Sequence, residues 1–193
     1  RTTLPFLPVL GYARMVVEGW SHMLSAYPKT GKTELLSRLA LEWTAQGLAV
    51  CYYTEEPQSV WEARLAKLEG PTDGLDIVFA LGALPQDILA HMRASGANVT
   101  IIDTIRLLRL ENENSNSEIN LALTPFITTV RQLEQTLVLA HHTRKGAGEH
   151  GVAAAGGHAF LGAVDVALEV LRTGDSRRRT IRGWGRVMDV PTL

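Results

Sequence analysis

Eight residues, Ala26-Tyr27-Pro28-Lys29-Thr30-Gly31-Lys32-Thr33, constrain this chain more than any others. They sit between a short apolar run, His22 to Ala26, and a helix-period segment, Lys32 to Gln46, with Leu35, Leu36, Leu39 and Leu41 among its apolar positions. A loop that joins a strand to a helix start aims backbone N–H groups and the positive end of the helix dipole at an anion. A nucleoside triphosphate also needs a lysine on its β and γ phosphates and a hydroxyl on Mg2+. Gly31-Lys32-Thr33 supplies the glycine, the lysine and the hydroxyl in that context. ATP and Mg2+ are therefore the expected cofactors, held by Pro28, Lys29, Thr30, Gly31, Lys32, Thr33 and Glu34, with Thr33 on the metal. No Asn-Lys-x-Asp segment reads a guanine base, so ATP is the default over GTP. The first glycine of the usual G-x-x-x-x-G-K-[ST] pattern is Ala26, which fits only if that position keeps φ negative.

Beyond residue 20, short apolar runs alternate with longer helix-period segments, the pattern of an α/β domain with a mainly parallel sheet flanked by helices. Strands are expected at Leu48 to Thr54, Asp76 to Ala80, Val99 to Asp103 and Thr136 to Ala140. Helices are expected over Pro57 to Leu68, Pro85 to Ser95 and about Glu118 to Gln135. Later strands fall at Val164 to Leu171 and Arg178 to Arg182, with Gly183-Trp184-Gly185 expected as a hairpin turn into Val187 to Val190. Residues 1–15 read as an N-terminal arm outside the core, whose domain runs from 16 to 193.

Three further features suit phosphate chemistry. Asp103 ends a β-branched strand about seventy residues after the loop, where a carboxylate can orient Mg2+, partly through water. Glu55 and Glu56 follow the second strand at the carboxyl edge of the sheet, where ligands bind in open α/β folds. One of them can activate the attacking water, while the other belongs to the first turn of the next helix. The sequence does not say which. His141 and His142 end a strand and point to opposite sides of it, so one at most meets the γ-phosphate, and His142 is the candidate. A metal centre built from His141, His142, His150 and His158 lacks a cysteine or carboxylate at ligand spacing.

The chain of 193 residues has 46% apolar and 20% charged residues and a formal net charge of −1, so no global field draws it to nucleic acid or lipid. Cys51 is its single cysteine and reads as a packed strand residue, which points to a reducing, cytoplasmic setting. Asp165 and Glu169 interrupt the weakly polar stretch from Gly151 to Leu171, so no membrane partner is expected. The chain opens on Arg1, as a piece of a longer protein would.

Taken together, the chain resembles the RecA superfamily of P-loop ATPases, in particular RepA-type plasmid helicases and KaiC-like ATPases. The resemblance is carried by Pro28 to Thr33, Thr54-Glu55-Glu56-Pro57, Ile101-Ile102-Asp103, His141-His142-Thr143-Arg144-Lys145-Gly146 and Phe160 to Asp165. It implies a RecA-like P-loop NTPase core with a C-terminal antiparallel hairpin, and a catalytic base in Glu55 or Glu56. It also implies a homo-oligomeric ring or filament in which a neighbour supplies an arginine, for which Arg186 and Arg182 are candidates. Nucleic-acid work, as in a helicase or recombinase, would place single-stranded DNA on the 143–158 loop. A KaiC-like switch acting on a protein partner is the alternative, and a small-molecule kinase a minor one.

Overall fold

The computed structural model describes residues 4–110, 112, 115–143, 157–172, 177–186 and 189–193. The chain opens with a hairpin, β1 (Phe6–Val9) and β2 (Tyr12–Val17), and enters the core through β3 (Ser21–Ala26). Then follow α1 (Lys32–Thr44), β4 (Val50–Thr54), α2 (Gln58–Leu65), β5 (Leu75–Phe79), α3 (Pro85–Ser95) and β6 (Val99–Asp103). A 3-10 turn at Ile105–Leu108 leads to α4 (Asn116–Gln132), β7 (Thr136–His142), α5 (Gly157–Ala163), β8 (Val166–Arg172) and β9 (Arg179–Gly185). Among the described residues seven strands form one sheet in the order β5-β4-β6-β7-β3-β8-β9, parallel except for β8 with β9.

Strands buried on both faces read as unbroken apolar runs, and side-chain alternation divides them between two cores. Tyr52, Ile101, Val138 and Leu24 face α1, against Leu36, Leu39 and Trp43. Cys51, Tyr53, Ile102, Leu137 and Leu139 face α3 and α4, against Ile88, Met92, Leu123 and Phe126. No helix among the described residues is long and apolar enough to cross a membrane.

The segment expected as an arm outside the core is the β1–β2 hairpin. Leu7 and Val9 are buried against the α1 side of the sheet. The two-residue turn has positive φ at Leu10 (52°) and Gly11 (78°), the geometry that matches strand twist. The Glu42 carboxylate on α1 accepts hydrogen bonds from both of their amides, at 2.8 and 2.7 Å. Trp43 Nε1 donates to the Pro8 carbonyl at 2.8 Å. Buried His22 ties this hairpin to the sheet: Nε2 accepts from the Val17 amide at 3.0 Å, so Nδ1–H donates to the Leu137 carbonyl at 3.1 Å.

The expected turn at Gly183-Trp184-Gly185 is also corrected. β9 runs straight through it, pairing Gly183 with Leu168 and Trp184 with Ala167. Glycine is needed there for space, because a Cβ on Gly183 would lie 2.6 Å from both Leu168 and Val190. Ile181 and Leu193 exchange backbone hydrogen bonds of 2.8 and 2.9 Å, so the last residue extends this edge. Residues 187 and 188 of the expected final strand lie outside the described residues.

Candidate nucleotide site

The strands of a parallel sheet deliver their carboxyl ends to one edge, and here that edge carries the phosphate loop, Lys32, Glu55, Asp103 and His142. Ala26 is still within β3, paired with His142 on one side and Val170 on the other, so its methyl group meets the condition of an extended backbone. Two residues of the following loop are left-handed, Lys29 (φ 63°) and Gly31 (φ 97°). No side chain caps α1 at Gly31, and a Cβ built there would meet nothing within 4 Å. A helix start without a side-chain cap leaves its first amides for an anion, the arrangement that receives phosphate. Pro28 and Lys29 are exposed, Thr30 is buried and Thr33 is half-buried.

Lys32 and Asp103 meet at the centre of this edge. Lys32 Nζ lies 3.0 Å from Asp103 Oδ1, and the two side chains are only 3% and 4% exposed. Burial lowers the Lys32 pKa, and the Asp103 charge opposes that shift. The other carboxylate oxygen, Oδ2, accepts from the Tyr52 hydroxyl at 2.8 Å. Burial, followed by the Asp103 charge, holds the Tyr52 pKa well above its usual value, so this phenol stays a donor. Tyr52 escaped sequence reasoning because its apolar setting marks it as core. Alternation places it on the α1 face together with Asp103.

The structure separates the two glutamates. Glu55 Oε1 accepts from the Thr104 amide at 3.2 Å and from the Thr104 hydroxyl at 2.5 Å, beside Asp103 and within the field of Lys32. The Asp103–Thr104 peptide bond is cis. Glu56 turns away to Arg64 on α2, which grips it through two guanidinium nitrogens and lies over Trp61 at 5.0 Å. Of the pair, Glu55 is thus assembled with Lys32 and Asp103, and Glu56 is not.

The two histidines also part company. His141 is buried on the far face, with its ring 4.8 Å from that of Phe160. His142 is on the α1 face, and its buried Nδ1 has no hydrogen-bond partner among the described residues. Burial lowers its pKa, and nearby Lys32 lowers it further, so the ring is neutral and can offer an acceptor or a donor to a ligand. His150 and the side chain of His158 lie outside the described residues, as does the 144–156 part of the loop expected to meet DNA.

A cavity of about 400 Å3 opens beside the phosphate loop, with Tyr12, Thr30, Gly31, Glu34, Arg38 and Ile181 among its walls. Glu34 pairs with Arg38 one helical turn on, at 3.0 Å. Arg179 of β9 reaches back to donate to the Thr30 carbonyl at 2.6 Å, a contact that sequence spacing did not reveal. Arg186 lies at the opposite edge of the sheet, where its Nε donates to the Val164 carbonyl at 3.1 Å and faces Asp165 at 3.8 Å. Arg182 pairs with Glu169 at 2.7 Å. Neither reaches Lys32 within one chain.

A phosphate loop beside a buried lysine–aspartate pair, with both of their strands inside a mainly parallel sheet, defines a RecA-like P-loop ATPase. The model of a family described as "AAA domain" matches residues 9–148, and the chain belongs to that family. Among solved structures, it is similar to a KaiC-like protein from the hyperthermophilic archaeon Pyrococcus horikoshii OT3. The TM-score is 0.68 at 17% identity, covering 92% of this chain and 85% of that one. This likeness shows the fold. No curated protein matches the chain.

Proposed function

We propose that the chain hydrolyses ATP in an oligomer and uses the bound nucleotide to switch its grip on a protein partner. The observation that carries hydrolysis is Glu55, held by Thr104 beside Asp103 and Lys32. A carboxylate at that place takes the proton of a water attacking the γ-phosphate. It favours water over a metabolite as acceptor and so speaks against the small-molecule kinase. Lys32 and the amides at the start of α1 hold the phosphates, and the neighbouring cavity takes the nucleoside. Thr33 and Asp103 would hold Mg2+, which neutralises charge on the phosphates. His142 reports the γ-phosphate to the segment that follows β7.

The net charge of −1 and the likeness to a KaiC-like fold support a protein partner over nucleic acid. In an oligomer Arg186, about half exposed, would serve a neighbour's site only after leaving Asp165. The test is ATP turnover against protein concentration, with and without single-stranded DNA, beside Lys32→Ala. Turnover that rises steeply with concentration, ignores DNA and vanishes in Lys32→Ala is the expected result. Stimulation by DNA would replace the protein-directed reading with a helicase-like one, and unchanged turnover in Lys32→Ala would remove the site assignment.

A further inference from the structure

Remote from the phosphate loop, β4 turns Cys51 and Tyr53 to the face covered by α3, opposite to Tyr52. Its edge neighbour β5 sets Asp76 in register with Cys51, and α3 brings His91 over both. Cys51 Sγ lies 3.8 Å from Asp76 Oδ2 and 3.8 Å from His91 Nδ1, while His91 Nε2 lies 3.7 Å from Asp76 Oδ2. One donor atom from each residue lies within 4.8 Å of the other two. We propose that Cys51, Asp76 and His91 bind a transition-metal ion of the Zn2+ class, with water as the fourth ligand.

Tetrahedral bonds of about 2.0–2.3 Å place donors roughly 3.3–3.6 Å apart, so donor atoms that lie within 4.8 Å of one another close by up to about 1.5 Å on binding. A thiolate and an imidazole beside one carboxylate select Zn2+ over Mg2+ and Ca2+, which take oxygen donors. Tyr53 completes the arrangement, its hydroxyl 2.9 Å from His91 Nδ1. With Nε2 on the metal, Nδ1–H donates to that hydroxyl, the kind of outer contact that orients a ligating histidine. Cys51 is buried, whereas the Asp76 and His91 side chains are 60% and 43% exposed, and a cleft of about 340 Å3 has Cys51 and Asp76 in its walls. The thiol gives up its proton to solvent on coordination. The ion would fasten the edge strand β5 to α3, and the site stands whether or not the chain hydrolyses ATP.

The full chain, stripped of metal with a chelator, is titrated with Co2+ and followed by absorbance. A thiolate-to-cobalt charge-transfer band that saturates at one equivalent and is displaced by Zn2+ is the expected result. This band separates the site from any Co2+ bound by Asp103, which has no thiolate. Cys51→Ser abolishes the band, Asp76→Asn and His91→Ala weaken Co2+ binding by more than about tenfold, and Tyr53→Phe weakens it by about tenfold. Circular dichroism and melting check each fold. If Cys51→Ser does not fold, His91→Ala, changed near the surface, carries the test. Absence of the band, or a band undiminished in both His91→Ala and Asp76→Asn, overturns the proposal.

Discussion

Glu55 and Glu56 are one residue apart and chemically identical, yet their surroundings give them different work. Glu55 is bonded to Thr104 next to Asp103, whereas Glu56 is held by Arg64. Glu55→Gln should lower ATP turnover by about 10²–10⁴-fold while nucleotide binding persists. Glu56→Gln should loosen α2 and leave turnover within a few-fold of the parent. Steady-state rates with a fluorescent-nucleotide titration check both, and equal losses would break the distinction. His22 offers a second residue-level test. Burial lowers its pKa from 6.5 to about 4 by desolvating the charged ring, and protonation at Nε2 would also deprive the Val17 amide of its acceptor. The folded pKa lies below the unfolded one, so the stabilisation is complete above pH 6.5 and is lost as pH falls from 6.5 toward 4. The full loss is roughly 3 kcal/mol. Urea midpoints at pH 7, 5 and 4 should fall more steeply for the parent than for His22→Gln. Parallel slopes would mean that His22 does not titrate in this window.

At the scale of elements, legibility followed how strongly a segment is patterned and what lies next to it. β3, α1, β4 and β6 were legible because long apolar runs alternate with a 3.6-residue period and the phosphate loop anchors their order. The β1–β2 hairpin was not. Its turn, Leu10-Gly11, lacks the Asn-Gly type of signal, and the carboxylate that holds it comes from Glu42, 32 and 31 positions away. Glycines in the last strand misled for a related reason, since a glycine marks a turn or a close approach and sequence alone does not distinguish them. Gly183→Ala tests which it is. A Cβ there would lie 2.6 Å from Leu168 and Val190, so those side chains must move. Overpacking of this sort costs about 1–3 kcal/mol, which a thermal melt will register. An unchanged melting temperature would mean that residues 189–193 pack loosely against β9.

At the scale of the whole molecule, the site depends on a strand order that local patterns do not specify. Lys32 and Asp103 lie 71 positions apart and meet because β7 alone separates their strands. Side-chain alternation in this register turns Tyr52, Asp103 and His142 toward one face, and because the register joins distant strands the network linking them was not legible. Cys51, Asp76 and His91 illustrate the point on the opposite face, with ligand spacings of 25 and 40 positions that no short motif contains. A site assembled from three strands and a helix start couples nucleotide binding to the stability of the entire fold. A ligand that binds only the folded chain stabilises it by about 2.7 kcal/mol at a hundred times its Kd. For a domain of this size that raises Tm by roughly 5–10 °C. A non-hydrolysable ATP analogue with Mg2+ should produce this rise in the parent protein and none at the same concentration in Lys32→Ala. Because the analogue is not turned over, the shift reads binding alone, free of any requirement for a neighbouring subunit or an activating partner. A shift of equal size in Lys32→Ala would place the phosphates away from the loop at the start of α1.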